Sequence, residues 1–253
     1  MAAAARDLGG ANLNASKPFS VVIGLGRSGI GAAKLLHQQG QSVLLIESQT
    51  TPEREAQAEA LRQHGIAVQL GVPLDPDPFA GLPCQPHQVI VSPGIRWDHP
   101  TLVELRRRGV RVQGELGPAW EASNTVPWIG ITGTNGKTTV TYLVGHLLAS
   151  AGLDAPMGGN VGNSAAELVL NRCQAHQPLP SWLVVELSSY QIEAAAEVAP
   201  QIGIWTTLTP DHLERHGTLE NYRAIKRSLL ERSSVRILNA DDPDLRAHAG
   251  SWD

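Results

Sequence analysis

From Pro18 onward, short apolar β-rich runs alternate with amphipathic stretches of helical period, a pattern that predicts a parallel sheet flanked by helices. "FSVVIGLG" predicts a strand ending in a glycine turn, "GIGAAKLLHQQG" a helix closed by Gly40, and "QSVLLIES" the next strand. A helix over "PEREAQAEALRQHG", strands over "IAVQLG" and "QVIVSPG", a helix over "HPTLVELRRRG" and a strand over "VRVQGE" follow. The polar stretch "EASNTVP", Glu121 to Pro127, breaks the rhythm and reads as a linker. A second α/β unit follows it. "WIGITG", "SWLVVELSS", "IGIWTTLTP" and "VRILNADDP" predict strands, and "KTTVTYLVGHLLASAG" and "LENYRAIKRSLLERS" predict helices. The expected organisation is a disordered tail over 1–17 and two domains over 18–122 and 123–253, the last ending in the helical start "PDLRAHAG" with no closing element.

Bulk properties narrow the class without choosing a function. A chain of 253 residues suits two domains of ordinary size. Apolar residues at 42% and a net charge of -4 describe a globular protein with no electrostatic call for nucleic acid. The two cysteines, Cys84 and Cys173, lack metal-ligand spacing and fit a reducing compartment. No window approaches the roughly 20 apolar residues that cross a bilayer, and Arg6 and Asp7 interrupt the N-terminal alanines before signal-peptide length. A cytoplasmic monomer with no membrane contact is expected. The run Arg106 to Arg108, late in a helix, reads as a solvated face that complements the helix dipole.

Two glycine loops carry the candidate chemistry. "GLGRSG", Gly24 to Gly29, follows a strand and opens a helix, and Glu47 ends the next strand, where a dinucleotide fold holds a ribose hydroxyl. On its own the motif points to a nicotinamide cofactor, to another nucleotide diphosphate at a helix N-terminus, or to a tight turn alone. The second loop, "GITGTNGKTTV", departs from the strict phosphate-loop pattern because Ile131 stands where glycine is required. Gly133 and Gly136 still frame the turn, with Lys137 placed for the β/γ-phosphates and Thr138 for Mg²⁺. Such a site needs polar groups at neighbouring strand ends. Glu186 and the pair Asp211 and His212 stand at the ends of "SWLVV" and "IGIWTTL".

In order along the chain, "GITGTNGKTT", "GGNVG", "ELSSYQIE", "TPDHLERHGTLENYRAIK" and "NADDP" resemble the central ATPase domain of the Mur ligases. "VVIGLGRSGIGAAKLL" with "VIVSPGI" resembles the MurD type, which adds D-glutamate to UDP-N-acetylmuramoyl-L-alanine during peptidoglycan precursor synthesis. The resemblance implies an α/β fold, a Rossmann-like UDP-substrate-binding domain followed by a P-loop-type parallel-sheet ATPase domain. It also implies an ATP-dependent, ADP-forming amide ligase working through an acyl phosphate. Carried over by match, Gly26, Arg27, Ser28, Glu47, Ser48, Ser92, Pro93 and Gly94 would hold the UDP part, with Asn160 near the reacting carboxylate and Ser188 also binding substrate. Gly133, Thr134, Asn135, Gly136, Lys137, Thr138, Thr139 and Asn239 would hold ATP. Lys137, Glu186, His212 and Lys226 would be catalytic, and Thr138, Glu186, His212 and a carbamylated Lys226 would ligate two Mg²⁺ ions. The family has a third, C-terminal domain not seen before Asp253, so this chain alone is expected to ligate little. The competing expectations are an NAD-dependent oxidoreductase built on "GLGRSG", a catalytically silent nucleotide-binding module, and a neighbouring ligase that adds another amino acid.

Overall fold

A computed structural model describes residues 19–74, 79 and 85–251; the expected tail over 1–17 and Cys84 lie outside them. The chain divides at Pro118 and Ala119 into two compact units. The first contains β1 (Phe19–Ile23), α1 (Arg27–Gln38), β2 (Ser42–Ile46), α2 (Pro52–Gln63), β3 (Ala67–Gln69), β4 (Gln88–Val91), α3 (Pro100–Arg107) and β5 (Arg111–Gly114). Its sheet runs β3-β2-β1-β4-β5, and every pairing is parallel. β1 and β4 are buried along their whole length, as expected of parallel strands covered on both faces.

α4 (Leu116–Ala122) begins before the division and ends after it. The stretch read as a linker therefore starts inside a helix. Buried Ser123 donates to Ala119 O at 2.7 Å and accepts from Trp128 Nε1 at 3.0 Å, which makes a tied corner there.

The second unit contains β6 (Trp128–Thr132), α5 (Lys137–Ser150), β7 (Met157–Gly159), α6 (Ala165–Gln174), β8 (Leu183–Glu186), α7 (Ser189–Glu193), β9 (Ile202–Trp205), α8 (Leu213–His216), α9 (Leu219–Arg232), β10 (Val235–Leu238) and α10 (Pro243–His248). Its sheet runs β10-β9-β6-β8-β7, again with parallel pairings throughout. β7, α6, α7 and α8 are elements that the hydrophobic pattern did not predict.

Both sheets place the strand before the glycine loop third of five. Each loop thus emerges from the carboxyl end of a central strand with neighbours on either side, where α/β sheets present their ligand crevices. The buried apolar faces of the strands and helices supply the rigidity, at about 1.5–3 kcal/mol for each large side chain removed from water.

The arginine run is paired as expected for a solvated helix end. Arg107 and Arg108 grip Glu104 at 2.7 Å, and Arg106 lies 4.3 Å over the Trp97 ring.

Candidate functional sites

Among the helices of eight residues or more, capping sets both loops apart. α2, α3, α6 and α9 are each capped by a side chain, from Thr51, His99, Ser164 and Thr218 respectively. α1 and α5 begin at Gly26 and Gly136 with no side-chain cap. Their first N–H groups and the positive ends of their dipoles are left for something else, and an anion is the natural complement.

In the first unit a cavity of about 700 Å³ opens against the α1 terminus. Gly26, Ser28, Glu47, Ser48, Ser92, Pro93 and Gly94, all expected there, line it; Arg27 does not. The glycines divide the work. At Gly24, with φ +103, a Cβ would meet Ser92 Oγ at 2.7 Å, and at Gly29 it would meet Gly24 O at 2.1 Å. Both are demanded by the backbone. A Cβ at Gly26 would meet nothing within 4 Å, so there the missing side chain clears space over the cavity.

Glu47 is engaged within its own loop. Its carboxylate accepts from Leu25 N at 2.8 Å, Gln49 N at 3.0 Å and Ser48 Oγ at 3.2 Å. Burial pushes its pKa up, and the two backbone donors, Ser48 and nearby Arg54 outweigh it, leaving the carboxyl below its ordinary range. Glu47 thus fastens the glycine loop to the end of β2, and the ribose role read from the dinucleotide motif would have to share those oxygens. Arg54 and His99 also line the cavity. Neither carries a sequence signal, since each sits in an ordinary amphipathic helix start.

In the second unit the phosphate-type loop is held from outside. Gly133 has φ +153, and a Cβ there would fall 1.9 Å from Thr206 Oγ1. Thr206 Oγ1 donates to Asn135 O at 2.6 Å, Asn135 N donates to Thr207 Oγ1 at 2.9 Å, and Thr134 Oγ1 donates to Thr209 O at 3.1 Å. The "TTLT" after β9 is thus a strap of hydroxyls, unsuspected from the sequence. Lys137 Nζ donates to Gly133 O at 3.0 Å and Thr134 O at 2.9 Å, which sets its charge at the mouth of α5.

At the end of β8, Glu186 is 2% exposed. It accepts from Thr138 Oγ1 at 2.7 Å and Asn160 Nδ2 at 2.9 Å, and makes no ion pair among the described residues. A buried carboxylate served only by neutral donors is electrostatically costly. Paired with a hydroxyl beside a phosphate-type loop, it offers the oxygen donors that a hard divalent cation selects. These residues fit Mg²⁺.

The other two expected ligands lie around Tyr222. Lys226 Nζ lies 4.7 Å from that ring centroid and the His212 ring 6.4 Å. Among the described residues no three His, Cys, Asp or Glu side chains are grouped to hold an ion. Lys226 is 1% exposed and donates to Thr132 Oγ1 at 3.2 Å and Gly133 O at 2.9 Å. Burial, reinforced by the Lys137 ammonium and opposed by Asp211, pushes its pKa down to about 7. His212 is exposed, takes a left-handed conformation at φ 53, and has Asp211 at 3.5 Å and Glu214 at 3.7 Å.

Ser188 caps α7 in a reciprocal box with Gln191. Thr139 is exposed on the first turn of α5. Exposed Asn239 accepts from Asp241 N at 3.0 Å through its side chain.

Residues 131–252 match the Mur ligase middle domain, and residues 19–114 match the Mur ligase MurD-like N-terminal domain. A UDP-N-acetylmuramoylalanine--D-glutamate ligase of Parasynechococcus marenigrum is 61% identical over 92% of this chain and 50% of its own length. One from Prochlorococcus marinus is 59% identical over 92% of this chain and 51% of its own. The chain therefore spans about half the length of these curated relatives. Among solved structures, a UDP-N-acetylmuramate-alanine ligase of Thermotoga maritima aligns with a TM-score of 0.55 at 24% identity, covering 90% of this chain and 50% of its own. A murein peptide ligase of Psychrobacter arcticus aligns at 0.58 and 18%, covering 92% and 52%. At such identities these two show a shared fold.

Proposed function

The chain belongs to the Mur ligase family, and on that premise we propose that it serves the ATP-dependent addition of D-glutamate to UDP-N-acetylmuramoyl-L-alanine, a cytoplasmic step of peptidoglycan precursor synthesis. The observation that carries this reading is the buried Glu186 joined to Thr138 and Asn160 beside Lys137. A dehydrogenase has no use for that group. Support for the D-glutamate type comes from the 61% identity to a ligase of that name and from the matched N-terminal domain.

In this reading the first unit holds the substrate by its UDP diphosphate, at the uncapped α1 terminus over Gly26. The second unit holds ATP, with loop amides from Gly133 to Thr138 and the Lys137 ammonium around the β/γ-phosphates. The alanine carboxylate takes the γ-phosphoryl group and ADP leaves. The amine of D-glutamate then attacks the acyl carbon, gives up a proton, and phosphate departs as the amide forms. Thr138 and Glu186 would hold Mg²⁺, which offsets charge on the phosphate oxygens when bound. Lys226 has a pKa near 7, so its amine is neutral often enough to add CO₂ through Nζ with loss of a proton. The resulting carbamate, with His212, would serve a second Mg²⁺.

Titration of the full chain, followed by the fluorescence of its six tryptophans, tests the reading. UDP-N-acetylmuramoyl-L-alanine is expected to bind in preference to NADH. Lys137→Ala is expected to weaken ATP binding by about a hundredfold, the loss of a charge-assisted phosphate contact, and to leave the UDP ligand unaffected. A preference for NADH would overturn the proposal.

A further inference from the structure

Arg54 stands in the first turn of α2 and lines the cavity at the α1 terminus. Its Nη1 donates to Leu25 O and, at 3.1 Å, to Gln57 Oε1. All its hydrogen bonds among the described residues fall on that one nitrogen, so Nε and Nη2 have no acceptor. Those two nitrogens form the side edge of the guanidinium, whose parallel N–H groups grip two oxygens at once. This chain uses that edge repeatedly. Arg96 holds Asp98, Arg107 holds Glu104, and Arg223 holds Asp244, each through Nε and Nη2 at 2.6–2.9 Å. Arg54 is anchored by its other nitrogen and leaves the gripping edge open.

The charges around the cavity favour an anion as the missing acceptor. Glu47 is the one acid among the described residues that line the cavity, and its oxygens are engaged with Leu25, Gln49 and Ser48. The cation of the Gly24–Gly29 loop itself, Arg27, does not line the cavity, Arg96, which does, grips Asp98, and Gly26 supplies space without charge. From the open fork, the cavity and the uncapped helix together, we infer that Arg54 is the cation that clamps the diphosphate of the nucleotide ligand in the first unit. This rests on the reading that the cavity takes a UDP-linked substrate. The bond to Leu25 O fixes the guanidinium to the loop it serves, so the fork is placed before the ligand arrives. Selection for a diphosphate over an uncharged nucleoside then comes from a residue outside the glycine motif.

Calorimetric titration of the full chain with UDP and with uridine tests this, using Arg54→Gln and Arg54→Lys. Arg54→Gln is expected to weaken UDP at least tenfold and to leave uridine within twofold. Arg54→Lys keeps a charge without the fork and is expected to recover only part of the loss. Raising the salt concentration should weaken UDP less in Arg54→Gln than in the unsubstituted chain. Unchanged UDP affinity in Arg54→Gln overturns the role of the arginine and leaves the substrate reading standing. Equal losses for UDP and uridine overturn it as well, because they would show an arginine that only shapes the loop. Failure of the unsubstituted chain to bind UDP at all overturns both.

Discussion

The two glycine loops occupy equivalent places, each after the third strand of a five-stranded parallel sheet and before an uncapped helix. Their surroundings are opposite. The first loop is fastened by a carboxylate, Glu47, and an arginine on a neighbouring helix, Arg54, donates to its Leu25 carbonyl. The second is fastened by neutral hydroxyls from Thr206, Thr207 and Thr134, and two lysines, Lys137 and Lys226, donate to its carbonyls. The topology provides a place for phosphate in both units. On the proposed reading, the neighbouring strand ends decide what the place holds: a diphosphate that is bound and kept, or a triphosphate whose charge must be offset while a group is transferred.

The largest expected contrast comes from one methyl group placed in each loop. Gly133→Ala puts a Cβ 1.9 Å from Thr206 Oγ1 at a residue with φ +153. A cost on the order of 3 kcal/mol or more is expected, from backbone strain plus loss of the threonine strap. Gly26→Ala meets nothing within 4 Å, and at an N-cap, where alanine is less favourable than glycine, the exchange costs about 0.5–1 kcal/mol. Its effect should instead appear as about a tenfold loss of UDP affinity, since the methyl stands where the ligand approaches. Thermal unfolding and UDP titration of both variants check the pair. Equal destabilisation by the two would remove the distinction between a glycine kept for the backbone and one kept for the ligand.

Legibility in the sequence follows the range of the interaction. β1, α1, β6 and α5 were readable because local periodicity and glycine spacing specify a strand, a turn and a helix. α6 was missed, although Ser164 and Glu167 at capping-box spacing before "LVL", which form that box, are a local signal that could have found it. β7 has no such signal: "MGG" has no β propensity, and Gly158 and Gly159 are strand residues only by pairing with β8. The threonine strap and the Arg54 bond to Leu25 O join residues far apart in the chain, and nothing local announces them. The resemblance named Glu186 and Thr138, and the structure adds that they touch.

pH is expected to act on the two loops in the same direction but in different windows. The folded pKa of Lys226, about 7, lies below its ordinary value of 10.5. Between those values the unfolded chain binds more protons than the folded one, so stability rises with pH. Below pH 7 the buried ammonium is a full penalty. The slope can reach about 1.4 kcal/mol per pH unit, and Lys226→Met should flatten it. Glu47, with its pKa lowered, stabilises the first unit above the ordinary carboxylate range and loses that contribution as pH falls through its folded value. Urea unfolding in CO₂-free buffer from pH 7 to pH 9 checks the lysine arm. A gain with pH that persists in Lys226→Met would assign it elsewhere.

The smallest expected effect tests whether the loops differ in their need for metal. Glu186→Gln keeps the side chain's size and one acceptor for Thr138 or Asn160, and removes the buried charge. If that charge and the Thr138 hydroxyl hold Mg²⁺, the affinity gained by ATP on adding Mg²⁺ should fall about tenfold in the variant, the low end of what metal-site substitutions cost. Affinity for ATP in EDTA should stay the same. In the first loop the hydroxyl on Glu47 comes from Ser48, its neighbour in the chain, and not from the first turn of α1, and the same carboxylate is engaged by two backbone amides. UDP binding should therefore be indifferent to EDTA in both proteins. A chain whose UDP affinity follows Mg²⁺ as closely as its ATP affinity would show that the strand-end carboxylate is not what separates the two sites.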